Sequence, residues 1–471
     1  MTSGINSLSA AALTAAIRRR EISAREALDA HFARIDDVNG QINAVVTEDR
    51  EHAAALAAAA DGMTMSGADL PLLHGLPMTH KDTNNTKGMR TTQGSVLFWD
   101  FVPNFDDLII ARFKAAGVVT TGKTNVPEFA AGSHTFNDVF GTTVNPYNTA
   151  VSAGGSSGGA AAAIAARIQP LSDGSDMGGS LRIPASFCNV VGFRPSVGVI
   201  PVAPTRNAWA WLARTGTMAR EVEDIALAMA AVAGPDPAVP YPYPLRDGQF
   251  SEPLQRDLRG LRIGWSPDFG LGVPVEKEVL RVLESQLRIF EDLGAVVEEA
   301  APDLRDADQV FGTTRAFDFA LSLGELVAKH LDVVKPEVRW NVEKGRALSG
   351  QDLVSAALAR TRLDTSVRRF FGRFDVFASP TAQLLPFEAS QRYPTSIEGV
   401  EFETYLDWMR SACLVSATGL PALSVPAGFS DDGLPVGLQL AMNHGKDFEL
   451  LQVAYGFEQA THHAQREPIL A

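Results

Sequence analysis

The chain has 471 residues, 45% of them hydrophobic and 20% charged, and carries a formal net charge of −14. That length and composition allow a large buried core, while the acidic balance disfavours a nucleic-acid backbone or an anionic membrane as partner. Two cysteines, Cys188 and Cys413, build neither a disulfide framework nor a metal cluster, so a reducing, cytoplasmic setting is expected.

In chain order, the N-terminal stretch places its arginines after a short apolar run, the reverse of a secretion signal. Residues 7–60 read as helices. Ser9 is a candidate cap, and Ser23 with Glu26 forms a capping box ahead of Leu28, Phe32 and Ile35 at helical spacing. The alanine runs at 53–60 and 160–166 are too short to cross a bilayer. A helix over 107–116 ends at Gly117, and a strand follows over 118–121. The pattern recurs later: strand 261–265, helix 275–293, strand 295–298. Residues 309–370 read as a helical layer, and strands return at 375–379, 422–426 and 436–440. Strands alternating with helices predict an α/β fold with its sheet covered on both faces. The proline-rich segment 235–244 reads as a surface spacer, and no boundary divides the chain, so one domain over 1–471 is expected.

The chemistry concentrates between Gly154 and Cys188. Ser156 and Ser180 sit in separate glycine-rich turns, GGSSGG (154–159) and MGGS (177–180), with an alanine-rich segment between them. Glycine serves where the backbone bends sharply or approaches another group closely. A helix starting after Ser180 would gather the backbone amides of Met177, Gly178, Gly179 and Ser180 at its positive end, as an oxyanion hole requires. Ser156 has two readings: a nucleophile in a G-x-S-x-G elbow, or a relay to Ser180. Lys81 follows the apolar run 72–78 and becomes a base at neutral pH only if burial lowers its pKa. Taken one at a time, GGS and GGSSGG are more often plain turns, and a lone lysine is more often a solvated charge.

Together these segments resemble the amidase signature family. The likeness runs from about Leu8 to His462 and rests on GGSSGG (154–159), SDGSDMGGSLRIPASFC (172–188) and VVGFRPSVG (190–198), supported by GLPMTHKD (75–82) and GKTNVPEF (122–129). The resemblance implies a single α/β/α domain around a large mixed sheet, with the signature core at 75–200 and no metal or organic cofactor. It implies Ser180 as acylated nucleophile, Ser156 as bridging serine after a cis peptide bond, and Lys81 as ultimate base. Ser157, Asp176 and Arg182 match supporting positions. The chain departs from the family pattern at Ala153, Met177 and Thr217, none of which removes a catalytic group.

The expected function is hydrolysis of a carboxylic amide, with a small aryl or hydrophobic amide as substrate and anilides and carbamates included. Arg182–Ile183–Pro184 lacks the glutamine found there in tRNA-linked amidotransferase subunits. Trp209 and Trp211 are candidate pocket walls, with core packing the commoner use of such a pair. Loops 130–140 and the segment 309–370 are expected to choose the substrate. Two other readings stay open. One is an α/β-hydrolase-type esterase using Ser156 or Ser157 with His330, His444, His462 or His463. The other is a subunit of an amidotransferase. Homo-oligomer formation also stays open.

Overall fold

The computed structural model describes residues 2–240 and 243–470. Part of the proline-rich spacer, Tyr241 and Pro242, lies outside the described residues. Two sheets organise the chain. The smaller joins β1 (Val45–Glu48), β2 (Pro77–Lys81) and β3 (Val119–Thr124) in the order β1-β3-β2. The larger joins eight strands: β4 (Leu171–Asp176), β5 (Val191–Arg194), β6 (Arg214–Ala219), β7 (Arg262–Trp265), β8 (Val296–Glu299), β9 (Val376–Pro380), β10 (Ala422–Phe429) and β11 (Pro435–Met442). Their order is β8-β7-β9-β11-β10-β5-β6-β4. β7 runs parallel to both of its neighbours and the other pairs are antiparallel, so the sheet is mixed.

The side-chain period of two sorts each strand between two cores. Val376 and Ala378 of β9, with Leu440 and Met442 of β11, pack against the helices Lys277–Asp292 and Asp447–Thr461. Phe377 and Ala441, on the opposite face, pack with Ile183, Phe187, Phe311 and Leu363. Helices therefore cover both faces, the α/β/α arrangement expected from the alternation of elements. Among the described residues no helix is long and apolar enough to cross a membrane.

The N-terminal reading holds in part. Ser9 accepts from the Ala12 amide, and the Ser23–Glu26 box forms in full at the start of Ala24–Ile42. The stretch 7–60 is not all helix, however, because β1 interrupts it to pair with β3. Residues 309–370 are the helices Ala307–Lys329, Pro336–Ala347 and Gly350–Phe371, joined by short turns.

The alanine-rich segment is the helix Gly158–Ala165, and every residue in it is buried. Alanine suits this place because the helix is enclosed on all sides and its neighbours stand close. Gly159 marks the closest approach. A Cβ there would lie 2.4 Å from the Asn125 amide nitrogen, 2.6 Å from the Asn125 carbonyl oxygen and 2.8 Å from the Ala44 carbonyl oxygen. All three are backbone atoms and cannot swing aside. Gly159→Ala is therefore expected to cost about 2–3 kcal/mol through overpacking, read as a lower denaturant midpoint at unchanged m-value. An unchanged midpoint would show that the helix shifts freely.

Candidate active site

Lys81 ends β2 and is fully buried. Its Nζ lies 2.8 Å from Ser156 Oγ, 2.9 Å from Ser157 Oγ and 2.9 Å from Ser175 Oγ. No carboxylate among the described residues pairs with it, and burial pulls its pKa down to about 7, against an opposing pull from Asp173 and Asp176. The Gly155–Ser156 peptide is cis. A neutral amine has two N–H donors and one lone pair. Three hydroxyls around one nitrogen match that set, leaving the lone pair to accept a proton from one of them.

Ser180 is 7% exposed, and its carbonyl accepts the Ser157 amide at 3.2 Å. Its hydroxyl makes no hydrogen bond among the described residues, whereas Ser156 and Ser157 are both held by Lys81. The turn carrying Ser180 leads into the short helix Arg182–Phe187. Asp176 sets the shape of that turn. Its oxygens accept the Gly179 amide at 2.9 Å, the Leu181 amide at 3.2 Å, and Arg182 Nε and Nη2, each at 2.9 Å. Arg194 adds a contact at 3.4 Å. The two guanidiniums hold the Asp176 carboxyl well below the usual carboxylate range despite complete burial. Of the four amides expected to converge, Gly179's is thus already committed to Asp176, because the carboxylate sits inside the bend. Those of Gly178 and Ser180 have no acceptor among the described residues.

A second buried layer, which the sequence reading missed, holds Lys81 from behind. Asp173 accepts His80 Nδ1 at 2.8 Å, the Lys81 amide at 3.2 Å and the Asn84 side chain. Lys123, opposite His80 on β3, is also fully buried and donates to Thr86 Oγ1 at 2.9 Å and to the Asn84 carbonyl. Ser175 was missed too. The residues in SDGSD alternate across β4, so Ser175 faces Lys81 while Asp176 faces Arg182. A strand reading of that stretch would have found it.

A cavity of ≈ 400 Å³ opens beside this group, with Ser175 and Met177 in its wall. Ile200, Pro201, Ala210, Phe129, Phe319 and Leu323 make much of the remainder apolar. The helical segment contributes through its first helix, but no residue of 130–140 lines this cavity. Neither Trp209 nor Trp211 lines it either. Trp209 is 58% exposed, and Trp211 packs against the second core with the Arg360 guanidinium 3.6 Å above its ring. A larger cavity, ≈ 760 Å³, lies behind the Ser180 turn against Phe311 and Cys413 and touches none of the Lys81 partners. Of the histidines named for the esterase reading, His462 and His463 bond to Gln465 and Gln286, and no histidine among the described residues bonds to Ser156 or Ser157.

The chain is 36% identical to an acylamidase of Rhodococcus erythropolis over 98% of its own length and 97% of that protein. It is also 36% identical to a glutamyl-tRNA(Gln) amidotransferase subunit of Thermosynechococcus vestitus, over 96% and 98%. A bacterial aryl acylamidase belonging to the amidase signature enzymes superposes with a TM-score of 0.91 at 28% identity, covering 97% of both chains. A mixed-sheet enzyme of this kind, with these relatives, is an amide-cleaving hydrolase. The chain belongs to the amidase family, whose model matches residues 26–451.

Proposed function

We propose that the protein hydrolyses small carboxylic amides through an acyl-enzyme on Ser180, with Ser156 and Lys81 as its proton relay. The observation that carries this reading is a buried lysine, poised near neutrality, with three serine hydroxyls around its nitrogen. Neutral Lys81 takes the Ser156 proton, and Ser156 takes the Ser180 proton as Ser180 attacks the carbonyl carbon. The tetrahedral oxyanion is received by the amides of Gly178 and Ser180, with Met177 beside them. Each such donor is worth about 3–4 kcal/mol in the transition state. The proton returns through Ser156 to the leaving nitrogen, and water then releases the acyl group by the reverse path. Hydrogen bonds of this kind are often long before substrate arrives, which accommodates the unbonded Ser180 hydroxyl.

The substrate we propose is a small aryl or hydrophobic amide, anilides included, because the cavity wall is largely apolar and two of the relatives are acylamidases. Charge and thiol content favour work in the cytoplasm without a nucleic-acid partner. The amidotransferase relative supplies the competing reading, a subunit that acts only within a complex.

Labelling with a fluorophosphonate tests the assignment. The expected result is a single adduct on Ser180, lost in Ser180→Ala, together with turnover of a simple anilide by the isolated chain. An adduct on Ser156 or Ser157 would reverse the roles of the serines. Labelling without turnover would favour the subunit reading.

A further inference from the structure

Two carboxylates line the cavity, Asp107 and Asp318. They are not equivalent. Asp107 is spent: it accepts the Asn85 amide at 2.7 Å and the Asn85 side chain at 3.1 and 3.3 Å. Asp318 receives one long contact, from Asn207 Nδ2 at 3.4 Å, although a carboxylate offers about four acceptor sites. No salt bridge reaches it among the described residues. Arg315, one turn earlier on the same helix, is turned away to Asn341, Tyr405 and the Met177 sulfur. Arg206, on the other side, reaches the Ser322 carbonyl and Glu325. The cavity wall offers Phe319, Leu323 and Ala210, and its one cationic side chain is the buried Arg214, whose Nη1 donates to the Ala213 carbonyl at 3.3 Å and which makes no salt bridge with Asp318 among the described residues. An underpaired, half-buried carboxylate in an apolar wall gains most from a ligand that supplies a cation and shares its burial. Burial raises the Asp318 pKa to about 6, so the group is still ionised above neutrality.

We infer that Asp318 is a specificity-determining residue, selecting amides that carry an ammonium group remote from the scissile bond. The inference rests on the reading of this cavity as the amide site. It narrows the substrate class from hydrophobic amides to amides with an apolar body and a cationic end.

The test uses benzanilides in which a 4-aminomethyl group replaces the isosteric 4-ethyl group, placed in turn on the acyl ring and on the amine ring. At pH 8 one cationic member is expected to exceed its ethyl counterpart at least tenfold in kcat/KM, chiefly through KM. In Asp318→Asn that ratio is expected to fall to within about twofold of unity. In Asp318→Lys the preference should pass to the 4-carboxymethyl analogue. Ser180 labelling confirms that each variant keeps its site. Hydrolysis with no cation preference, or a preference that survives Asp318→Asn, overturns this inference and leaves the amidase reading standing. Hydrolysis of none of the compounds, with Ser180 still labelled, removes both.

Discussion

Lys81→Met is expected to lower kcat/KM by about 10³–10⁴ and, at neutral pH, to raise stability. The first effect is the size of a lost general base. Methionine keeps an unbranched side chain, one atom shorter, but its thioether sulfur is only a weak acceptor and no base for the Ser156 proton. The second effect follows from linkage. The Lys81 pKa falls from 10.5 to about 7 on folding because the ammonium loses its water. Above pH 10.5 the amine is neutral in both states and contributes nothing. As pH falls from 10.5 towards 7 the unfolded chain takes up a proton that the folded chain refuses, so the folded state loses ground. Below about pH 7 the full penalty is present, about 4–5 kcal/mol for a gap of that size. Loss of the contacts to Ser156, Ser157 and Ser175 offsets part of it, at about 1 kcal/mol each. The net gain for Lys81→Met is therefore about 1–2 kcal/mol at pH 7, shrinking and then reversing as pH approaches 10.5. The wild-type kcat/KM should rise tenfold per pH unit below about 7 and level off above it, since only the neutral amine accepts a proton. Unfolding midpoints and pH–rate profiles measure both. A destabilised Lys81→Met at pH 7, or a wild-type profile flat from pH 5 to 9, would mean that the lysine is charged and structural.

The parts legible in sequence were those whose signal is local. Glycine pairs mark close backbone approach wherever they occur, and Gly159 against Asn125 shows the reason. The Ser23 capping box is complete within four residues. Helical spacing located Lys277–Asp292 to within a turn. Elements that depend on burial from both sides gave no such signal. β4 reads LSDGSD, with no apolar alternation, because only Leu171 joins a core while Asp173, Ser175 and Asp176 are hydrogen-bonded to His80, Lys81 and Arg182. β1 is four residues long and exists because β3 pairs with it, so the run 7–60 looked wholly helical. Distance along the chain hid the rest. His80 and Asp173 meet across 93 residues, and Lys81 and Ser175 across 94. Nothing in one sequence announces such pairs. The tryptophans misled for a related reason: an aromatic residue near a motif is not thereby in the cavity, and Trp211 instead lies under Arg360.

Asp176→Ala is expected to destabilise the protein by about 3–5 kcal/mol or more, a larger loss than that expected for Gly159→Ala. Arg182 and Arg194 are both fully buried, and Asp176 is the carboxylate that faces them. Removing it leaves two guanidiniums in the interior without a counter-charge, a far greater cost than the pair's own net contribution. Arg182 would keep the Ala412 carbonyl, Gln439 and Ser416, which satisfy its donors but not its charge. The same change frees the Gly179 and Leu181 amides that Asp176 now holds. The turn before Ser180 then loses that brace, and activity is expected to fall with stability. Asp176→Asn retains one acceptor oxygen, so it should lie between Ala and wild type on both measures. The pH dependence separates this cause from simple loss of packing. The Asp176 carboxyl titrates below its ordinary value of 3.8 in the folded protein, so its contribution is fully present above about pH 4 and fades only as pH falls further. The wild-type-to-variant gap in denaturant midpoint should hold constant from pH 8 down to about 4 and close beneath it. A gap that persists unchanged at pH 2, or an Asp176→Ala midpoint equal to wild type, would show that the charge on Asp176 does not hold the turn.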